Sequence, residues 1–392
     1  MVRFDDIVIP ATTRWLADTD AQAVCQAIRA GGHAIYFVGG CVRNALLGLA
    51  DSDVDMATDA LPEQVMTLAR AAGLKPIPTG IDHGTITVVA GGKPFEITTF
   101  RRDIETDGRR AVVAFSKDIH DDARRRDFTM NALYADPQGQ VIDPLKGLPD
   151  LMARRVRFIE DPDARIREDY LRILRFFRFS AWFGDQQHGF DGDALAAISV
   201  NTSGLETLSA ERIGQEMTKL LSAGDPSPAV AVMRQTGVLS TVLPGSDDRW
   251  LAVLVHLEGS TGSAPDWITR LAILGGENAP ARLRLSKSSA KQLLLLRDIG
   301  FAGPPLAELA YRHGADLARQ VMLMRAAFAE QPADISELET ISTAAQAKFP
   351  IKAADLMPAF SGPDLGKRLA VLEQAWITSG FAYTADELLN LP

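Results

Sequence analysis

Apolar and polar positions along this chain follow two rhythms, and the change falls near residue 147. Before it, short apolar runs of strand type alternate with helical spacing. "AIYFV" (34–38) is broken by Gly39–Gly40, and "CVRNALLG" continues with Val42, Ala45 and Leu46 at helical intervals up to Gly48. "DSDVDMAT" reads as a half-polar strand. "DALPEQVMTLARAAG" then reads as a helix with Asp59 as its N-cap, Pro62 in its first turn and Gly73 at its end. "GTITVVA" and "FEITTF" alternate with period two around "GGKP", a hairpin. The pattern predicts a small α/β sheet domain ending near residue 140. From about Leu148 onward strand signals nearly vanish. "SAERIGQEMTKLLSAG", "SAKQLLLLRDIG" and "LAELAYRHGADLARQVMLMRAAFAE" carry helical periodicity between Gly, Pro and Ser breaks.

Length and composition add bounds rather than identity. The 392 residues, 46% of them apolar, fit a globular protein of two to four domains. "MVRFDDIVIPATTRWL" carries charge where a signal peptide needs an apolar run, and no stretch approaches the roughly 20 apolar residues of a membrane span. A cytoplasmic protein with no membrane association is expected. Cys25 and Cys41 are too few for a zinc site and are expected as small buried side chains. The net charge of −9 argues against a polyanionic partner, yet its distribution is uneven: Arg101 to Arg178 holds 17 Lys and Arg against 15 Asp and Glu.

Within "GLADSDVDMAT" three aspartates stand two apart, Asp51, Asp53 and Asp55. On an extended strand all three would share one face, a crowding of like charge that a cation relieves. An Asp-x-Asp pair recurs by chance in a chain of this length, so context carries the argument. Gly39–Gly40 lets backbone approach a bulky anion, the following helix turns its first amides toward phosphate, and Arg43 lies in its first turn. Two carboxylates facing a bound triphosphate are what paired Mg²⁺ ions need to activate a hydroxyl and steady a leaving pyrophosphate.

The stretch "GGCVRNALLGLADSDVDMAT" resembles motif A of the class II tRNA nucleotidyltransferase and bacterial poly(A) polymerase family, with Asn44 where the family usually has Asp. The family spacing of five and seven residues after the Leu-Leu-Gly glycine implies Asp53 and Asp55 as the catalytic, metal-binding pair and leaves Asp51 as the extra. "RRRDFTMNAL" (124–133) resembles motif B, in which the position of Arg126 contacts nucleotide; Asp127 is placed to N-cap the following helix. "EDYLRILRFFRF" (168–179) resembles motif D, whose Glu-Asp-x-x-Arg serves as an amino-acid template for the incoming base. Asp169, Arg172, Arg175 and Arg178 recur every three residues, a polar stripe beside the apolar Leu171, Leu174 and Phe177. Taken alone, the spacing also gives an i,i+4 pair of Glu168 with Arg172 on a solvated helix.

A carboxylate beside a guanidinium suits the amino donor and ring acceptor of cytosine and adenine, and mispairs with guanine and uracil. Asp169 and Arg172 are therefore expected to select CTP and ATP, with Arg175 and Arg178 on ribose or phosphates. "IETDGRRAVVAF" resembles the family's flexible loop, with Asp107, Gly108 and Arg109 as its lever, and Glu96 is a candidate third carboxylate. The single His-Asp pair, His120–Asp121, lies in the head, while His256 and His313 stand apart, so the phosphohydrolase that some relatives fuse is not expected.

The resemblance implies an α+β fold: an N-terminal nucleotidyltransferase (polymerase beta-like) mixed sheet with helices, then an all-helical C-terminal region. Its expected domains are a catalytic head (1–147), a helical neck that recognises the base (148–222) and a helical body and tail that binds tRNA (223–392). Nucleotide binding is expected at Gly39, Gly40, Arg43, Arg126, Asp169, Arg172, Arg175 and Arg178, with Mg²⁺ as cofactor, tRNA as partner and no obligate protein partner. The implied reaction is template-independent addition of C, C and A to the tRNA 3′ end with release of pyrophosphate. A bacterial poly(A) polymerase or a partial CC- or A-adding enzyme is the alternative; the neutral to acidic terminus "AYTADELLNLP" favours tRNA over the loosely specific RNA that basic extensions hold.

Overall fold

A computed structural model of the chain describes residues 7–50, 53–107, 110–185 and 189–392, with backbone alone described over 103–107 and 110–113. The chain divides into two compact units, Met1–Leu220 with Val232–Val242, and Leu221–Ala231 with Leu243–Pro392.

In chain order the first unit begins α1 (Arg14–Ala17), α2 (Thr19–Ala30), β1 (Ile35–Val38), α3 (Gly40–Leu47), β2 (Asp55–Thr58), α4 (Pro62–Ala71), β3 (Lys75–Gly80), β4 (Thr85–Ala90) and β5 (Lys93–Thr99). It continues β6 (Arg101–Asp107), β7 (Arg110–Phe115), α5 (Ile119–Arg124), β8 (Tyr134–Ala135), β9 (Val141–Ile142), α6 (Leu148–Met152), α7 (Pro162–Glu168), α8 (Leu171–Phe183), α9 (Gly192–Asn201) and α10 (Ala210–Leu221). Seven strands form a mixed sheet in the order β3-β4-β5-β2-β1-β8-β9. Only β2 and β5 run parallel among these neighbours, and their register sets Asp55 beside Glu96. On the other side of β2, the antiparallel register sets Val38 beside Asp55. One face packs on a cluster that includes Val38, Ala57, Phe100, Ala132, Tyr134 and Ile159.

The expected hairpin forms because Gly91 (φ +56°) and Gly92 (φ +81°) supply the two left-handed positions of a tight turn between paired Ala90 and Lys93. The Lys93 ammonium then reaches Asp18 at 2.8 Å and Asp20 at 3.0 Å. Three local expectations change. Regular pairing in the acidic stretch starts only at Asp55, so Asp53 precedes the strand, and Asp51 lies outside the described residues. Asp59 does not cap α4: its carboxylate accepts from the Ala34 amide (2.9 Å), and Gln64 instead reaches back to the Leu61 amide (2.8 Å). β3 was not expected, because Pro76 and Pro78 argue against a strand; it is tolerated at the sheet edge, where a missing N–H can face solvent. In the segment that resembles the flexible loop, the described backbone pairs as a two-stranded ribbon, β6 with β7; Gly108 and Arg109 lie outside the described residues.

After Leu148 the described elements are helical. Phenylalanines pack α8 onto the 124–133 turn: Phe128 lies 5.0 Å from Phe158 and 5.1 Å from Phe179, ring centre to centre, and Phe176 stacks on Phe158. Cys25 and Cys41 are free and buried as expected, and burial pushes their thiols up to about 12 and about 11, so neither is a ready nucleophile.

The second unit is helical too, with Leu251–Ser260, Trp267–Leu274, Lys287–Ile299, Ala315–Ala329 and Gly362–Thr378 among its helices. Arg270, 1% exposed, bonds Glu258 at 2.7 Å and donates to the carbonyls of Leu221 (2.7 Å) and Gly224 (2.9 Å). Its charge is thereby paired and its donors are shared with backbone, the condition for burying an arginine. Among the described residues no helix is long and apolar enough to cross a membrane.

Candidate active site

Gly39 sits at φ +74°, ψ −118°, a conformation essentially reserved for glycine, and it turns the chain from β1 directly into α3. Its amide is anchored on the Leu133 carbonyl (3.1 Å) and its carbonyl accepts the first helical bond, from Arg43 N–H at 2.9 Å. A helix start leaves its first amides without intrahelical partners, so Gly40 opens an anion-favouring end beside the carboxylates. A side chain at Gly39 would lie 3.5 Å from the Arg126 Nη1, which places that guanidinium against the turn.

Asp55 and Glu96 emerge from neighbouring strands in register. The Asp55 carboxyl is raised above its ordinary value by partial burial, then by the charges of Glu96 and Asp53, against the pull of Arg126. Glu96, Arg126 and Asp53 thus all act on Asp55, and Glu96 stands beside the sequence-predicted pair. These are hard anionic oxygens, the donor type for a divalent cation.

Arg43 and Arg126 occupy different settings. Arg43 is buried, its guanidinium 3.9 Å from the Phe183 ring centre and 5.2 Å from that of Phe179. It donates to Asn131 Oδ1 (2.6 Å) and, from Nε and Nη2, to Asn44 Oδ1 (3.1 and 2.8 Å). Asn44, the departure from the family motif, therefore still orients the arginine, and its own amide donates to the Ala50 carbonyl (2.9 Å). Burial lowers the Arg43 guanidinium to about 10, so it remains charged at neutral pH. Arg126 donates to Asp122 (2.9 Å) and lies at 3.2 Å from the Tyr134 hydroxyl; burial works against its charge, but Tyr134 and Asp122 outweigh it and raise its pKa.

Asp127 is not a helix cap. Only a single tight turn, Thr129–Asn131, follows it. Its Oδ1 accepts from the Phe128 amide (2.8 Å) and Asn131 Nδ2 (2.9 Å), and its Oδ2 from Arg175 Nε (2.7 Å) and Nη2 (2.5 Å). Arg175 also faces Glu216 of α10 at 3.9 Å, and Glu216 accepts from Arg178 Nε at 2.5 Å. A polar relay results: Arg43, Asn131, Asp127, Arg175, Glu216, Arg178.

The continuous helix expected through Asp169 is broken there. Asp169 is extended (φ −154°, ψ 104°) between α7 and α8; its Oδ1 accepts from the Leu171 amide (3.1 Å) and its Oδ2 from Arg212 Nη2 (2.7 Å). Arg172 does not pair with Asp169. It donates to Glu168 (2.5 Å) and to the carbonyls of Arg165 (2.9 Å) and Arg125 (3.0 Å), so the i,i+4 pair that spacing alone suggested is formed. Arg165 bonds Glu168 from the other side and the Arg126 carbonyl at 2.7 Å. Sequence reasoning missed Asn131, Arg212 and Glu216. Their available signal was the i,i+4 placement of Arg212 and Glu216 on an amphipathic helix.

Residues 35–157 match the poly A polymerase head domain, and residues 190–249 match the probable RNA and SrmB-binding site of polymerase A. The mitochondrial CCA tRNA nucleotidyltransferase 1 of Mus musculus is 32% identical over 381 residues, covering 91% of this chain and 86% of that protein. The CCA-adding enzyme of Geobacillus thermodenitrificans is 40% identical over 235 residues, 59% of this chain and 56% of that enzyme. Among solved structures, the Bacillus stearothermophilus CCA-adding enzyme in complex with CTP aligns with a TM-score of 0.70 at 28% identity, covering 92% of each chain.

Proposed function

Because the chain belongs to the CCA tRNA nucleotidyltransferase family, we propose that it adds C, C and A to the 3′ end of tRNA from CTP and ATP, without a nucleic-acid template. The 3′ hydroxyl oxygen attacks the α-phosphorus as the bond to pyrophosphate breaks. The observation that carries this reading is Asp55 in register with Glu96, within electrostatic reach of Asp53 and Arg126, with the Arg126 guanidinium against the Gly39 turn.

Mg²⁺ fits this donor set. Burial first, and then repulsion from Glu96 and Asp53, raises Asp55; a divalent cation relieves that repulsion, and Mg²⁺ takes one or two carboxylates and completes its shell with substrate phosphates and water. Among the described residues no closed group of three ligating side chains is present. When bound there, the ion supplies charge neutralisation for the attacking hydroxyl and the leaving pyrophosphate. The protein's own groups do the rest. Amides at the start of α3 and the Arg126 guanidinium hold triphosphate oxygens. Asp169 accepts the amino group of cytosine or adenine, and Arg172, fixed from three sides, donates to the ring acceptor. Arg43 supports this surface from beneath rather than from within it, and Arg175 and Arg178 line it while tied to Asp127 and Glu216. In this division of labour the head reacts, the neck reads the base and the helical remainder holds tRNA.

Incubation with tRNA lacking its 3′ end and CTP, ATP or both tests the reading. One or two added C with CTP, and a terminal A only once both are present, is the expected ladder. An extended A tract from ATP alone would instead identify a poly(A) polymerase. Asp169→Ala is expected to admit UTP and GTP; unchanged discrimination in that variant removes the template assignment.

A further inference from the structure

We infer that Arg212 of α10 determines nucleotide specificity as a positioning residue: it fixes the aim of the Asp169 carboxylate and acts through it. The inference rests on the assignment of Asp169 to base reading. Asp169 lies at the break between α7 and α8, where no helical turn constrains its side chain from both flanks. The Leu171 amide holds only Oδ1, at 3.1 Å, and that contact is local. Arg212 supplies the long-range anchor, 2.7 Å from Oδ2 and from 43 residues further along the chain, with both side chains mostly screened from solvent (15% and 22% exposed).

The partner choice on α10 is informative. Arg212 and Glu216 stand at the i,i+4 interval at which opposite charges on a helix surface usually join each other. Each turns outward instead: Arg212 takes Asp169, and Glu216 takes Arg178 at 2.5 Å while facing Arg175 at 3.9 Å. One helical turn of α10 therefore braces the acceptor and the donors of the same binding surface. A carboxylate oxygen has two lone pairs, so Oδ2 held by Arg212 can still accept the amino hydrogen of cytosine or adenine. Without that brace the carboxylate can rotate away, and selection against the carbonyl of uracil or guanine weakens.

The test compares wild type, R212A, R212K, D169A and the D169A/R212A double variant in single-nucleotide extension of a truncated tRNA, with kcat and KM measured for CTP and UTP. R212A is expected to lower the CTP-over-UTP ratio of kcat/KM by about tenfold, chiefly through KM for CTP, as loss of a charged hydrogen bond implies. R212K should recover part of the ratio. The double variant should match D169A alone, because one residue acts through the other. A folded R212A with the wild-type ratio, or losses that add in the double variant, overturns the inference; where R212A does not fold, R212Q decides by the same ratio. Wild type that neither incorporates CMP nor binds CTP in preference to UTP overturns the base-reading assignment and the inference with it. Active wild type with an unaffected Arg212 variant overturns the inference alone.

Discussion

Asp127→Asn removes one charge from the buried relay while keeping its shape. The wild-type carboxyl sits at 8% exposure and is held at about 2 against an ordinary 3.8. Burial works against the ionised form but is outweighed by Arg175, with Asn131 and the Phe128 amide adding to it. A depression of that size corresponds to about 2 kcal/mol of folding stability. The loss of a hydrogen bond to a charged partner gives the same order, about 1.5–3 kcal/mol. The amide retains an acceptor for Phe128 and Asn131 but turns donors toward Arg175. Because the folded pKa is lowered, the Asp127 contribution is complete above the unfolded pKa near 4 and is lost as pH falls through about 2. Hydrogen exchange of the α8 amides reports this unit's opening without requiring the whole chain to unfold together. The variant is expected to exchange as though about 2 kcal/mol less stable from pH 7 down to pH 5, with the gap narrowing below pH 4. A difference under about 0.5 kcal/mol at pH 7, or one that persists unchanged at pH 2–3, would refute the charge-based account.

Asp53→Ala and Asp55→Ala should each abolish CMP incorporation, with Asp51→Ala sparing it; a tenfold or larger loss on changing Asp51 would overturn the choice of pair. Gly39→Ala forces a side chain into φ +74°, ψ −118° and to 3.5 Å from Arg126 Nη1. It should cost about 1–3 kcal/mol by the same exchange measurement and raise KM for CTP, and a variant with wild-type stability would show that the turn is not strained.

The head was legible wherever backbone chemistry punctuates the chain. Gly39 and Gly48 bound α3, Gly91–Gly92 fix the β4–β5 register, and the parallel pairing of β5 with β2 sets Glu96 beside Asp55. β3 was hidden because Pro76 and Pro78 contradict strand propensity, and only its edge position reconciles them. The break at Asp169 was hidden for another reason: the three-residue recurrence of charge fits a helix, but a short acidic side chain that bonds the Leu171 amide competes with helical pairing. Asp59 failed as a cap through the same versatility, drawn to the Ala34 amide across the sheet instead. Motif residues were found and their partners were not. That Asp127 takes Arg175, and Asp169 takes Arg212, depends on side chains 48 and 43 residues apart, beyond any local period.

The relay from Arg43 to Arg178 also bears on redesign. Transplanting α8 from a relative, with its own arginines, would strand Asp127 and Glu216 opposite foreign neighbours. A graft that exchanges nucleotide preference must carry the 127–131 turn and α10 as one cassette, or the imported helix will seat in a socket cut for another key.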